Sequence, residues 1–167
     1  MMSVRIVPLA EEHLEQLFEV FSAVAAEKQF LAWIAPVKRD SFEFYKTLLE
    51  TDCSAFVACE GERVLGHCDV HQARGDAQAH VGEIGLYLAK DVRNRGIGRQ
   101  LMTASMNSAF ERGLTRIKLG VRTDNRVAIA LYEHLGFEIE GTGRNAYLVD
   151  GQYYDSYNMA YLKENDV

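Results

Sequence analysis

The stretch DVRNRGIGRQL, residues 91–101, places three arginines around two glycines at the predicted start of a helix. The first N–H groups of a helix have no intrahelical partners and lie at its positive end. Gly96 and Gly98 have no Cβ, so backbone amides there can approach a ligand closely. Positive charge comes from Arg93, Arg95 and Arg99. The stretch therefore predicts an anion site, with a diphosphate as its natural occupant.

A solvated basic first turn is the alternative interpretation of these residues. It is disfavoured because arginines at a helix N-terminus oppose the helix dipole, at a cost of roughly a few tenths of a kcal/mol per charge. Two other phosphate-binding loops are excluded by residue identity. A Walker loop requires Gly-Lys-Ser/Thr, which the stretch lacks, and a dinucleotide fingerprint requires a third glycine where this chain has Leu101.

The charge of the chain is unevenly distributed. Residues 90–126 hold nine of the eighteen Lys and Arg residues and three of the 24 acids, so this segment carries +6. The total is −6, which leaves −12 on the remainder. This balance argues against a general nucleic-acid binder and indicates one segment suited to an anion.

A length of 167 residues predicts a single domain over residues 1–167. The sequence has no run of about 18 apolar residues, and its first residues do not follow the plan of a signal peptide. We therefore expect a cytoplasmic protein without a membrane partner. The three cysteines are odd in number and form no CxxC, which favours free thiols over a disulfide or zinc framework.

The order of the predicted elements indicates an α/β fold with a mixed sheet. Alternation places Ile84, Leu86 and Leu88 on one face of a strand and Glu83, Gly85 and Tyr87 on the other. A helix from Gly96 to about residue 112, a strand and a second helix ending at Gly136 follow. The chain then closes with two strands joined by an Asp150-Gly151 turn.

Two motifs together resemble the GNAT superfamily of N-acetyltransferases. The acetyl-CoA loop of that family has the pattern Gln/Arg-x-x-Gly-x-Gly/Ala, which here is Arg93-x-x-Gly96-x-Gly98. Residues 125–137 match the downstream pattern N-x-x-A-x-x-L-Y-x-x-x-G-F. The resemblance covers roughly residues 4–162, most firmly 81–140. It implies a single-domain GNAT-like α/β (α+β) fold: a mixed, mostly antiparallel twisted sheet, flanked by helices and splayed where acetyl-CoA enters.

The resemblance implies direct transfer of an acetyl group from acetyl-CoA to a primary amine. The ending DGQYYDSYNMA resembles the branch with phosphinothricin and amino-acid N-acetyltransferases, so the expected acceptor is an amino acid or an amino-acid-like toxin. Arg74, Arg144 or a backbone nest would hold its carboxylate. Acetylation of a protein N-terminus or of a polyamine stays open, the latter using Glu27, Glu43 and Asp155. So does a catalytically silent acyl-CoA-binding module. The family also implies a homodimer, which an antiparallel end such as Gln152–Leu162 often supports.

The resemblance also assigns roles to individual residues. Glu83 is the candidate proton acceptor, with a structural strand carboxylate as the alternative, and Tyr132 is the candidate general acid for the CoA thiolate. Backbone N–H groups just before the loop stabilise the oxyanion, and Asn125 caps a helix or binds the pantetheine arm. The expected acetyl-CoA contacts are Leu86, Tyr87, Leu88, Arg93, Asn94, Arg95, Gly96, Ile97, Gly98, Arg99, Asn125, Ala128 and Tyr132.

Other polar and aromatic residues give weaker signals. Phe30 and Trp33 lie on a connecting segment that is either core or the wall of a pocket, and Tyr153 and Asp155 either line the acceptor side or form cross-strand pairs. His67, Asp69 and His71 alternate on one strand face and His80 follows, which imitates a metal site. Without a fourth well-spaced ligand we expect no metal.

Overall fold

The computed structural model of the chain describes residues 3–51 and 53–164, with the side chains of residues 41 and 42 left aside. Its strands are β1 Val4–Pro8, β2 Ser54–Glu60, β3 Arg63–Gln72, β4 Val81–Leu88, β5 Arg116–Arg122, β6 Glu138–Val149 and β7 Gln152–Leu162. Its helices are α1 Leu14–Ala26, α2 Glu43–Glu50, α3 Ile97–Glu111 and α4 Arg126–His134.

Within these described residues, seven strands form one sheet in the order β1-β2-β3-β4-β5-β7-β6. Neighbouring strands are antiparallel except for β4 and β5, which run parallel. The predicted fold, a mixed and mostly antiparallel sheet with flanking helices, is confirmed. None of the helices in the described part of the chain has the length and apolar character that crossing a lipid bilayer requires.

Each face of the sheet has its own apolar core. On one face α3 packs against the sheet through fully buried residues such as Leu101 and Met102, and the apolar side of α4 joins this cluster. On the other face α1 and α2 pack through Leu17, Phe21 and Leu48. The alternation of β4 follows from this arrangement, because each face of the strand has to meet a different helix layer.

The pairing of β4 with β5 is short. The register runs from Val81 opposite Arg116 to Glu83 opposite Lys118, and it stops there in the described chain. By contrast, β4 pairs with β3 along its whole length, from Gly82 to Leu88. The sheet is therefore splayed between the second half of β4 and β5, as the resemblance implied.

Backbone geometry explains the two tightest turns near this opening. Asn94 and Gly96 have φ angles of +61° and +75°, which turn the chain sharply before α3 begins at Ile97. Asp150 and Gly151 have φ angles of +47° and +81°, as a two-residue hairpin turn between β6 and β7 requires. The Asp150-Gly151 turn was predicted from the sequence, as was a short loop before a helix that starts near Gly96.

The segment expected to support a dimer lies inside the sheet. Gln152–Leu162 is an internal strand, since β7 pairs with β5 on one side and with β6 on the other. From Ser156 to Ala160 the backbone of β7 is thus used on both sides, which leaves no free strand edge there for a second copy of the chain. The outer strands of the described sheet are β1 and β6.

Candidate active site

A cavity of about 810 Å³ lies at the splay between β4 and β5, on the sheet face covered by α1 and α2. This volume is in the usual range for a small-molecule site. Its aromatic lining residues are Phe21, Trp33, Phe44, Tyr45 and Tyr87. Its titratable and charged lining residues are Asp69, His71, Glu83, Arg116, Lys118 and Glu140. The cavity thus combines an aromatic wall, mostly from α1, α2 and the segment between them, with a charged floor from the strands.

Of the four side chains predicted to contact the acceptor, Trp33 lines this cavity. Phe30 lies elsewhere, with its ring centre 5.4 Å from the guanidinium carbon of Arg122. Tyr153 is exposed and stands opposite Leu148 in the β6–β7 pair. The Asp155 carboxylate accepts a hydrogen bond of 2.9 Å from the backbone N–H of residue 145. The last two side chains therefore follow the cross-strand alternative.

Glu83 stands on the floor of the cavity between two other polar side chains. Its Oε1 atom is 2.8 Å from Lys118 Nζ, and its Oε2 atom is 3.7 Å from His71 Nε2. The hydrogen bond from the Lys118 ammonium holds the pKa of the Glu83 carboxyl below its usual value. About half of the Glu83 side chain, 46%, is exposed to the cavity and solvent. Glu83 is therefore an accessible carboxylate that remains charged at neutral pH.

His67, Asp69 and His71 form a hydrogen-bonded chain along β3. Asp69 Oδ1 is 3.1 Å from His67 Nε2, and Asp69 Oδ2 is 3.0 Å from His71 Nδ1. Burial would raise the pKa of Asp69, but the two histidine hydrogen bonds outweigh it and hold that pKa below the usual value. The bond to Asp69 raises the pKa of His71, which lies partly open to the cavity.

Together with His80, these three residues imitate a metal site in the sequence. His80 is exposed at the start of β4. Among the described residues, no group of three or more His, Cys, Asp or Glu side chains is arranged to hold a metal ion. The alternating side chains of β3 instead serve as a polar network beneath the cavity.

A second charged pair lies further along the floor. Arg116 on β5 donates two hydrogen bonds, of 2.7 and 2.6 Å, to the Glu140 carboxylate on β6. Together with Glu83 and Lys118, this pair gives the floor of the cavity two negatively charged and two positively charged side chains. The cavity therefore offers fixed charges of both signs to a ligand.

The loop before α3 lies next to this opening, and its arginines have different partners. Arg93 donates to both carboxylate oxygens of Glu27 on α1, at 2.8 and 2.7 Å, and to the Leu88 carbonyl oxygen. Arg95 binds the Glu60 carboxylate at 2.9 Å. Arg99 is exposed, and no ion pair of its side chain occurs among the described residues. Arg99 is thus the loop cation most available to a bound anion.

Gly98 of α3 lies against two predicted cofactor residues of β4 and against Leu131 of α4. A Cβ at this position would lie 3.4 Å from Leu131, 3.5 Å from Leu86 and 3.6 Å from Leu88. A larger side chain would therefore have to displace these leucines. Ile97 is buried in the same core, while Asn94 and Gly96 are exposed on the loop.

Asn125 is the N-cap of α4, and Tyr132 lies within that helix. The Asn125 Oδ1 atom accepts the Ala128 N–H at 3.2 Å, so the predicted helix cap is present. Tyr132 is half-buried, with its ring 6.0 Å from Phe137, and burial raises the pKa of its hydroxyl. Tyr132 belongs to the α3 side of the sheet, whereas Glu83 belongs to the cavity side. The opening between β4 and β5 is where these two sides meet.

Arg116, Lys118 and Glu140 line the cavity but were not predicted from the sequence as site residues. One signal was available: Ile117, Leu119 and Val121 alternate as the apolar face of a strand, so the residues between them must face the other way. The parallel register that sets Lys118 beside Glu83 joins residues 35 positions apart in the chain, and no local pattern encodes it.

The model of the acetyltransferase (GNAT) family matches residues 12–137. The L-amino acid N-acetyltransferase AaaT of Escherichia coli (strain K12) is 36% identical over 108 residues, which are 64% of this chain and 67% of that protein. The mycothiol acetyltransferase of Rhodococcus jostii (strain RHA1) is 38% identical over 87 residues, which are 50% of this chain and 28% of that protein.

The solved structures show the same fold. The phosphinothricin acetyltransferase (Pat) of Sinorhizobium meliloti, in complex with acetyl-CoA, superposes with a TM-score of 0.88. The alignment covers 99% of this chain and 91% of that one, at 20% sequence identity.

Proposed function

The chain belongs to the GNAT family of acetyltransferases, and we propose that it acetylates the α-amine of a small amino acid or of an amino-acid-like toxin. As a member of this family it is an N-acetyltransferase that uses acetyl-CoA. The identity of the acceptor and the roles of individual residues form the proposal.

The contact between Glu83 and Lys118 carries the acceptor assignment. These side chains present a negative and a positive charge next to each other at the cavity. An α-amino acid carries an ammonium and a carboxylate on neighbouring atoms, so it can bind Glu83 through the first and Lys118 through the second. Lys118 thereby takes the role that the sequence analysis gave to Arg74 or Arg144, both of which are exposed.

The cavity suits an apolar acceptor side chain better than a polyamine. Its aromatic wall can bury a hydrocarbon or ring group of the ligand. The acids expected to bind a polyamine do not line the cavity: Glu27 pairs with Arg93, and Glu43 pairs with Lys46. The carboxylate of Asp155 is bound to the backbone of the β6 strand.

Acetyl-CoA is assigned to the opposite side of the sheet. The amides at the start of α3, around Gly96, Ile97 and Gly98, receive the diphosphate together with the Arg99 guanidinium. The arm then runs along Leu86–Leu88 toward the opening, beside Ala128. The Nδ2 group of Asn125 is a donor for the arm, since the helix cap uses only the Oδ1 atom.

The reaction then needs three contributions from the protein. Glu83 binds the ammonium next to the thioester, which makes loss of its proton easier. Backbone N–H groups on the edge of β4 that faces the opening stabilise the oxyanion. Tyr132 supplies a proton to the departing CoA thiolate.

The test follows thiol release with acetyl-CoA and four acceptors: L-phenylalanine, 2-phenylethylamine, a peptide with a free amino terminus, and spermidine. We expect L-phenylalanine to react fastest and 2-phenylethylamine, which lacks the carboxylate, to have a kcat/KM about 10-fold or more lower. Lys118→Met should shrink this difference between the two amines. Lys46→Met, a matched change of an exposed lysine on α2, should preserve it. Faster turnover of spermidine or the peptide would contradict the proposed acceptor. Absence of thiol release with every amine, despite CoA binding, would identify a silent binding module.

A further inference from the structure

Two acceptor atoms face each other in the cavity. His71 Nε2 and Glu83 Oε2 lie 3.7 Å apart, one on β3 and one on β4. We propose that the substrate ammonium binds at this pair, and that His71 Nε2, rather than Glu83, takes its proton. This inference rests on the proposed function, since it assigns the proton acceptor of the same acetyl transfer.

The hydrogen bonds of β3 define which nitrogen of His71 is free. His67 is fully buried, and its Nδ1 atom has no hydrogen-bond partner in the described structure. Its proton therefore lies on Nε2 and is donated to Asp69 Oδ1. The second oxygen of Asp69 accepts the Nδ1–H of His71. The Nε2 atom of neutral His71 then carries a free lone pair, and this atom lies on the side of Glu83.

Asp69 is buried, so it can hold the His71 ring with little interference from solvent. A carboxylate in this position fixes the tautomer of a histidine and stabilises the imidazolium that forms when the ring takes a proton. Phe44 on α2 contacts the ring of His71 edge-on, with the ring centres 5.9 Å apart. The imidazole is therefore oriented from two directions.

The two acceptors differ in basicity. Lys118 lowers the pKa of Glu83, which makes this carboxylate a strong anchor for an ammonium but a weak base. Asp69 raises the pKa of His71, which brings it closer to that of the amine. The division of roles follows: Glu83 binds the charge and His71 removes the proton.

The transfer moves two protons from the substrate nitrogen and one to the CoA sulfur. The ammonium gives one proton to His71 Nε2, and the neutral amine forms a C–N bond with the thioester carbon. The C–S bond then breaks, and its electron pair stays on sulfur, which takes a proton from Tyr132. The second proton of the attacking nitrogen restores Tyr132 through solvent, and the imidazolium releases its proton to solvent through its exposed side.

The charged groups around His71 set the expected pH dependence. They are Asp69 on β3, Glu83 on β4 and, beyond Glu83, Lys118 on β5, whereas α2 presents the uncharged ring of Phe44. Below the pKa of His71 the imidazolium pairs with Glu83, and both acceptors are lost to the substrate. We expect kcat/KM to rise with pH through the raised pKa of His71.

The test uses His71→Asn, because the Asn side-chain amide can still donate to Asp69 but cannot accept a proton. We expect kcat/KM for the amino acid that serves as acceptor to fall about 100-fold or more at pH 7. The deficit should shrink near pH 10, where the amine arrives already deprotonated. His80→Asn, a matched change of an exposed histidine, should behave like the unmodified protein, and acetyl-CoA affinity should be the same in all three.

Two outcomes would overturn the assignment: a loss at pH 7 no larger than that of His80→Asn, or a deficit that is independent of pH. If His71→Asn does not fold, Asp69→Asn provides the second test, because loss of the carboxylate should move the acid limb of kcat/KM to lower pH. An unmoved limb would contradict the proposal. If a peptide or polyamine proves to be the acceptor, the same comparison with that amine tests His71 separately from the acceptor assignment.

Discussion

Arg93, at the start of the glycine-rich loop, binds Glu27 of α1 through both of its terminal nitrogens, at 2.8 and 2.7 Å. The same guanidinium donates to the Leu88 carbonyl oxygen at the end of β4. The first arginine of the motif therefore connects α1, β4 and the loop. It fixes the position of the loop, and it is already neutralised by Glu27.

Arg93→Ala should destabilise the protein. The change leaves the half-buried Glu27 carboxylate and the Leu88 carbonyl without this donor, so we expect a loss of about 1–3 kcal/mol in the free energy of unfolding. Urea denaturation measures it. Arg39→Ala is the matched control, because it breaks a two-bond pair with Glu15 on the same helix that is fully solvent-exposed. A loss no larger than the control's would contradict a structural role for Arg93.

The contribution of the Arg93–Glu27 pair should also depend on pH. Arg93 holds the pKa of Glu27 below its usual value of 4.5. A carboxyl group with a lowered pKa stabilises the folded state above its unfolded pKa, and this stabilisation disappears as the pH falls through the folded pKa. The stability difference between the unmodified protein and Arg93→Ala should therefore be full at pH 7 and fade below about pH 4.5. A constant difference down to pH 3 would contradict this account.

Arg99→Ala should weaken acetyl-CoA binding without affecting the fold. Its side chain is the loop cation left for a diphosphate, and an exposed charge-assisted contact is worth about a 3–10-fold change in Kd. Isothermal titration with CoA measures this change, and the effect should decrease in high salt. Arg95→Ala is the control within the loop, because Arg95 is bound to Glu60. Equal losses for the two variants would show that Arg99 has no special role.

Glu83→Gln should affect acceptor binding more than turnover. An amide keeps the size of the side chain but removes the charge that holds the ammonium, so we expect the KM for the amine to rise about 10-fold. Initial rates over a range of amine concentrations separate KM from kcat. A large fall in kcat with an unchanged KM would instead identify Glu83 as the proton acceptor.

Tyr132→Phe should lower kcat by about 10-fold and leave acetyl-CoA affinity nearly unchanged. The expected effect is at the low end for a general acid, because burial raises the pKa of the phenol and makes it a weaker acid. Single-turnover measurements report the transfer step directly. Tyr161→Phe, a matched change in the same core, should have no effect on kcat. A larger effect on CoA binding than on kcat would assign Tyr132 to cofactor binding.

The sequence was informative where function depends on local backbone geometry. Gly96 before a helix, the alternation of β4 and the Asn125 cap are each encoded within a few residues, and the structure contains all three. The family motifs extended this to the arrangement of the whole sheet. These features could be predicted because short-range sterics and hydrogen bonding determine them.

Partners distant in sequence could not be predicted in the same way. Arg93 is predicted to contact acetyl-CoA, but its pairing with Glu27, 66 residues away in the chain, has no local sequence signal. The alternation of His67, Asp69 and His71 along one strand likewise does not reveal that the neighbouring strand sets Glu83 opposite His71. Both pairings depend on which charges the tertiary fold brings together.

The early end of the β4–β5 register also has a mechanical consequence. Three residue pairs join the β1–β4 half of the sheet to the β5–β7 half, and beyond them two strand edges face each other across open space. A ligand whose amide-bearing arm hydrogen-bonds to both strand edges would link them and oppose their separation. We therefore expect bound acetyl-CoA to raise the melting temperature of the protein. We also expect acetyl-CoA to bind before the amine, because the cofactor fixes the separation of the two strands that form walls of the acceptor cavity.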